Sequence, residues 1–420
     1  MEKFQSDQVC GMLLIYIYQH SQEAILFTIV NFLMSTFVNM NPTPDQSFFF
    51  SIYPRLQNKN LFGRYLTYEK IKTELPSNFK MVGKSVLGNP IPMVEFGKGP
   101  LKVLAWSQMH GNESTTTKAL FDFFNLLKET REEPVKQILE NCTFLAIPML
   151  NPDGARFYTR ENAHAVDLNR DADERKEPES RVLREIFSAF GPDFCFNLHD
   201  QRTLFSAGDV PVPATLSFLA PACDEMRSIS AGREKAMQLI AALNAQLQEV
   251  IPGQIGRYDD AFNINCTGDS FQAAEVPTVL FEAGHYPGDY SREITRKFTA
   301  FSLYAALRAL SSGAYLDFST AAYTSIPENK KRFCDVLLKN GTIEGRPMEV
   351  ALNYQEKLYR EEILFIPVVQ EIGTNLNLFG HQVIDCEGKE IRSSSGGKLE
   401  KQDPAQEILL NKFRLSIKVR

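Results

Sequence analysis

The sequence predicts an α/β fold, and three features carry that expectation. From about residue 90 to residue 310, short apolar runs that read as buried strands alternate with longer segments whose apolar residues recur at helical spacing. Four of those runs end directly in clusters of polar, chemistry-bearing residues. Beyond Ser311-Ser312-Gly313 the helices stop, and only strand-like runs follow.

In chain order, a helical lead-in is expected from about Leu56 to Leu75, within a segment spanning 40–76. Pro92–Phe96 reads as a strand, closed by the turn sequence Gly97-Lys98-Gly99-Pro100. Leu101–Trp106 reads as a buried strand and Glu113–Thr130 as a helix; Cys142–Met149 is a further strand, ended by Asn151-Pro152-Asp153-Gly154. A polar loop to about Arg175 leads into a helix over Glu179–Phe190 and a strand over Asp193–Leu198. Gly232–Val250 is helical, Val276–Phe281 a strand and Ser291–Leu310 a helix. These elements make a main domain over 77–312. Phe333–Leu338, Met348–Tyr354, Glu362–Val369 and His381–Cys386 are the strands of a small β-rich C-terminal region, 313–420. Its polar stretch 388–405 is expected to be a mobile tail.

Residues 1–39 fit this scheme poorly and are read as an N-terminal extension. Ala24–Met40 is apolar but broken by Asn31, Ser35, Thr36 and Asn39, short of the roughly 20 mostly apolar residues that span a membrane. Glu2, Asp7 and Glu23 spoil a signal-peptide pattern, leaving export or membrane attachment as the lesser alternative; the extension carries none of the clustered polar residues and is expected to be dispensable, with Met40 as an alternative start. Charge balance excludes other classes. With 45 basic against 51 acidic residues and a net charge of −6, no concentrated basic face points to nucleic acid. Seven scattered cysteines without a CxxC pair argue against a disulfide framework and a cysteine-ligated zinc, and favour a cytoplasmic protein without a membrane partner.

The polar clusters sit at strand ends. His110 and Glu113 follow Leu101–Trp106, the Asn-Pro-Asp-Gly turn follows Cys142–Met149, His199 follows Asp193–Leu198, and Glu282 follows Val276–Phe281. In open α/β sheets the carboxyl ends of strands are where ligands bind, so these clusters are expected to converge. Two imidazoles and a carboxylate are a ligand set for one catalytic zinc, with a fourth position left for water. Zinc polarises a carbonyl and lowers the pKa of its water to about 7, and Glu282 is then placed to act as general base. Arg160 or Arg170 could stabilise an oxyanion or hold an anionic end of the substrate. Taken singly, each cluster also has a plain reading as a turn, a solvated loop or a packed histidine; their combination carries the expectation.

With these residues in view, the chain resembles the zinc metallocarboxypeptidases of the carboxypeptidase A/B type. The resemblance runs from about Ser77 to Leu310 and rests on His110-Gly-Asn-Glu113, Asn151-Pro-Asp-Gly154, Asp167-Leu-Asn-Arg170, Leu198-His199-Asp200 and Phe281-Glu282. It implies a mixed eight-stranded sheet flanked by helices, zinc held by His110, Glu113 and His199, and Glu282 as base. It further implies Arg160 at the oxyanion, Asn169 and Arg170 at the substrate's terminal carboxylate, and Asp167 orienting a zinc histidine. Three departures accompany it. The substrate-capping tyrosine has no clear counterpart, Tyr258 being the nearest candidate; the residue that selects the side chain falls near Gly268, beside Asp269, and suggests no preference; and no inhibitory pro-domain precedes the enzyme. His285 is a rival third ligand, and Asp200-Gln201-Arg202 is either a cleft wall or a surface loop.

The expected function is a metallocarboxypeptidase releasing C-terminal residues from peptides, cell-wall peptides among the candidates, by a zinc-activated water. A deacylase of N-acyl amino acids, of the aspartoacylase and succinylglutamate desuccinylase type, is the alternative. A non-catalytic binding module would be expected to lack a ligand or the base, and none is missing.

Overall fold

The structure, a computed structural model, describes residues 43–418. The expectations for residues 1–39 lie outside the described residues. The chain divides into two units, Met1–Phe48 and Phe49–Arg420. Residues 43–48 of the first open the helix Pro44–Leu56; all that follows concerns the second. No described helix is long and apolar enough to cross a membrane.

The strands in chain order are β1 (Lys80–Lys84), β2 (Pro90–Gly97), β3 (Leu101–Ser107), β4 (Cys142–Ile147), β5 (Phe194–Asp200), β6 (Phe205–Ala207), β7 (Leu216–Leu219), β8 (Ile255–Arg257) and β9 (Thr278–Ala283). Then come β10 (Asn329–Lys331), β11 (Phe333–Ile343), β12 (Arg346–Tyr359), β13 (Glu362–Gly373), β14 (Phe379–Asp385), β15 (Ile391–Ser393), β16 (Glu407–Leu410) and β17 (Phe413–Ser416). The main sheet has eight strands in the order β1-β2-β4-β3-β5-β9-β7-β8. Its centre, β4-β3-β5-β9, is parallel, whereas β1, β2 and β7 join antiparallel. The α/β expectation and the eight-stranded mixed sheet therefore hold.

The central strands read as continuous apolar runs because helices cover both faces of a parallel sheet. β5 is buried at all seven positions. On one face Leu104, Trp106, Leu145, Ile147, Leu183 and Phe271 interlock. The helix Thr115–Glu129 contributes Ala119, Leu120, Phe123, Phe124 and Leu127 to the interior. A buried ion pair anchors its middle turn: Asp122 accepts from the Arg296 Nε at 2.7 Å, from the Tyr53 hydroxyl at 2.8 Å and from the Asn58 backbone amide at 2.8 Å.

Two expectations need correction. The lead-in is not one helix from Leu56 to Leu75; a helix ends at Leu56, a coil follows, and only Tyr68–Ile71 is helical again. The C-terminal region is β-rich, as expected. It groups with the rest of Phe49–Arg420, as a four-stranded sheet, β13-β12-β11-β14, and a three-stranded one, β15-β16-β17. The stretch 388–405, expected to be mobile, is folded: Ile391, Leu399 and Ala405 are buried among Val336, Leu338, Val350 and Leu352. Its polar composition hid three well-spaced apolar anchors.

Candidate metal-binding active site

The parallel centre of the sheet presents its carboxyl ends to one cleft of about 430 Å³. β3 runs into the turn that carries His110 and Glu113, just before the helix Thr115–Glu129. β5 ends in His199-Asp200, and β9 carries Glu282. His199 and Glu282 are register partners across the parallel β5/β9 ladder, so the sheet itself sets them side by side.

Asn151-Pro-Asp-Gly154 is the scaffold of this arrangement. The Asn151 side chain accepts from the Gly154 amide at 2.8 Å and donates to the Met109 carbonyl at 3.1 Å, which pins the residue before His110. Asp153 accepts from Ser85 and Asn89, both at 2.7 Å, tying down the β1–β2 turn. Gly111 lies so close to Gly154 that a Cβ there would meet its carbonyl carbon at 1.9 Å, so only a glycine fits at 111. Asp200 accepts from the amides of Thr115 and Thr116 at 2.8 and 3.2 Å, capping the helix that follows Glu113.

The expected ligands converge. His110 Nδ1 lies 2.8 Å from one Glu113 carboxylate oxygen, His199 Nδ1 lies 2.8 Å from the other, and the two Nδ1 atoms are 3.0 Å apart. Among the described residues this trio is the one group of three or more potential ligands that could hold a metal ion. The donor chemistry fits zinc. Asp167 stands 3.0 Å from His110 Nε2, and a carboxylate there accepts the Nε2 proton, which leaves the Nδ1 lone pair for a metal. Neighbouring donors about 3 Å apart suit a common ion at about 2 Å from each.

Electrostatics follow from the crowding. Burial pushes the Glu113 carboxyl up, but the adjoining His110 and His199 outweigh it and hold it well below the usual range. Burial lowers His110, yet Glu113 and Asp167 raise it on balance; His199, more deeply buried, stays lowered. Asp167 is pushed up by burial and pulled further down by its bond to His110 and by Arg160. Glu282 goes the opposite way: burial and then the Glu113 and Asp200 charges raise it well above a normal glutamate. Its Oε2 has no hydrogen-bond partner among the described residues, although Glu282 lines the cleft.

The other expected residues line the same cleft, with Asp167 bonded to it from behind. Arg160 donates to Asp167 at 3.0 Å and to Glu113 at 3.3 Å while its side chain remains 42% exposed. Asn169 accepts from the Thr267 amide at 2.9 Å, and Arg170 donates to the Asn169 carbonyl at 2.6 Å and to Cys266 Sγ at 3.1 Å. Tyr258 follows β8, packs on Phe205 with ring centroids 5.4 Å apart, and also lines the cleft. Gly268, Asp269, Asp200, Gln201 and Arg202 are wall residues as well. His285 does not join the ligands. It is buried against Tyr290 and His381, with ring centroids 4.7 and 4.2 Å away.

Two charged wall residues that the sequence reading missed are paired with each other. Arg64, in the coil of the lead-in, is ion-paired at 3.1 Å to Glu356, which β12 brings from the C-terminal region. Neither has a motif around it. The sequence offered no signal for Glu356, which sits in a run of three polar residues, Gln355-Glu356-Lys357, inside the strand.

Two imidazoles and a carboxylate that could hold a metal ion thus stand beside a second buried glutamate at the ends of parallel strands of an α/β sheet. Residues 65–206 match the peptidase M14 family, described as zinc carboxypeptidase. The chain is 34% identical over 103 residues to carboxypeptidase SOL1 of Arabidopsis thaliana, covering 23% of this chain and 21% of that protein. It is 29% identical over 109 residues to the probable carboxypeptidase 2 of Trichophyton verrucosum, covering 26% and 20%. The chain thus matches about a fifth of the length of these curated relatives. A metallo-carboxypeptidase structure from Burkholderia cenocepacia aligns at 17% identity with a TM-score of 0.46, over 60% of this chain and 70% of that one.

Proposed function

We propose that this protein is a zinc-dependent metallocarboxypeptidase that hydrolyses the C-terminal amide bond of peptides. The observation that carries this reading is Glu282: a carboxylate raised in pKa by burial, with an unpaired oxygen, one ladder rung from His199. His110, Glu113 and His199 would hold the metal, which when bound supplies a Lewis acid for the scissile carbonyl and a water of lowered pKa. Glu282 takes a proton from the attacking water and returns it to the leaving amine, the role of a general base placed beside the scissile bond. Arg160, fixed by Asp167 and Glu113, offers its outward donors to the developing oxyanion. Asn169 and Arg170 receive the terminal carboxylate; a guanidinium provides the paired donors that a lysine lacks. Tyr258 closes over the bound residue from the opposite wall.

The test compares zinc-loaded protein on peptides with free and amidated C termini, alongside N-acyl amino acids. Free peptides should be cleaved and amidated ones should be poor substrates. Arg170→Lys should weaken capture of the free peptides by about 2- to 5-fold, mainly through KM, the range for an exposed ion pair. Equal cleavage of free and amidated peptides defeats the carboxypeptidase reading, and turnover confined to N-acyl amino acids replaces it with the deacylase.

A further inference from the structure

The mechanism leaves one arginine of the cleft unused. Arg202 follows His199 by three residues, lines the cleft and is exposed. Its side chain forms no hydrogen bond or ion pair with the described residues. The acids nearest to it are already engaged. Glu356 is bound by Arg64 at 3.1 Å and by the Tyr158 hydroxyl. Asp200 caps the helix Thr115–Glu129. Arg292, buried one residue behind Arg202, donates to the backbone carbonyls of Ala283 and Gln201 at 2.8 and 2.9 Å rather than to a carboxylate. This end of the cleft therefore keeps a positive charge that its own carboxylates do not neutralise.

Arg170 stands apart from this group. Its charge acts on Asp269 and Cys266, whereas that of Arg202 acts on Glu356. If Arg170 receives the leaving residue, as proposed above, the acyl part of the substrate runs toward Arg202 and the wall formed by Glu356. Glu356 is charged but saturated by Arg64 and Tyr158, so it shapes this wall without cancelling Arg202. We infer that Arg202 selects substrates that carry a carboxylate on the acyl side of the scissile bond, in a subsite that the C-terminal β region completes. This inference rests on the placement of Arg170 at the leaving residue.

The experiment uses two N-blocked peptides that differ only in glutamate or glutamine at the acyl residue, each with a free C terminus. Their kcat/KM values are measured with zinc-loaded protein, and their affinities by calorimetry on the zinc-loaded Glu282→Gln variant. The native protein should favour the glutamyl peptide about 3- to 5-fold, the upper range for a partly exposed ion pair, mainly through KM. Arg202→Ala should bring the ratio close to one, and Arg202→Glu should reverse it and favour a lysyl peptide. Arg202 is exposed, so neither change disturbs the core. A ratio of one in the native protein, or a preference unchanged in Arg202→Ala, overturns the inference while leaving the carboxypeptidase reading intact. Amidated versions run in parallel report on that reading alone.

Discussion

Asp167 offers a direct test of how the metal site is held. Its carboxylate takes the His110 Nε2 and the Asn169 amide on one oxygen, at 3.0 and 2.9 Å, and the Arg160 Nε on the other at 3.0 Å. Asp167→Asn can place its single carbonyl oxygen on only one side. Facing His110, it turns an NH2 group toward the Arg160 donor and expels that arginine. Facing Arg160, it presents a donor to His110 Nε2 and drives the imidazole to the tautomer whose Nδ1 carries a proton and cannot bind a metal. Asp167→Ala removes both supports. Loss of such an orienting carboxylate weakens metal affinity by about 10- to 100-fold, or about 1.4–2.7 kcal/mol. Zinc affinity is measured by competition with a chromophoric chelator, on protein shown by circular dichroism to be folded. The alanine variant should fall in that range and the asparagine variant should lie between it and the native protein. An alanine variant within twofold of native affinity refutes the account of how His110 is oriented.

The remaining predictions rest on equally specific contacts. His199→Ala should lose most of the bound zinc and His285→Ala should keep it, as metal analysis would show; the reverse pattern would dismantle the ligand set. Glu282→Gln should retain zinc yet lose about 10²- to 10⁴-fold in turnover, the usual share of a general base, and near-native turnover would remove it from the mechanism. Asp122→Ala leaves the buried Arg296, whose side chain is 0% exposed, with Glu293 as its remaining acidic partner and should cost about 2–4 kcal/mol in urea unfolding. A loss below about 1 kcal/mol would mean that water or rearrangement satisfies the guanidinium.

The parallel centre of the fold was legible because burial on both faces forces unbroken apolar runs, and such runs survive in composition. Leu101–Trp106, Cys142–Met149 and Val276–Phe281 each land within two residues of a strand boundary or closer. The convergence of His110, Glu113, His199 and Glu282 was legible for a related reason, since each follows such a run. What stayed hidden is short or exposed. β6, β7 and β8 have three, four and three residues, too few for any period to emerge. β1 exposes three of its five positions and carries little apolar signal. The β12–β13 hairpin turns through Arg360 and Glu361, both with positive φ, where Asn or Gly would ordinarily announce the turn. The partnership of Arg64 with Glu356 is a long-range pairing that a single sequence leaves unmarked.

The register between β5 and β9 has a consequence for how this site can change. The separation of His199 from Glu282 is a dimension of the peptide backbone, one inter-strand step of about 4.8 Å, and no side-chain packing has to maintain it. On its other side Glu282 is matched with Ser217 of β7, so the strand is clamped from both flanks. A slip by one residue would send the carboxylate through to the opposite face of the sheet, an all-or-none failure with no graded intermediate. The walls, in contrast, come from loops and from a distant hairpin. They are free to be exchanged, lengthened or recharged while the reacting distance stays the same. Preference for a substrate and competence for the reaction are thus separable here, and can be engineered independently.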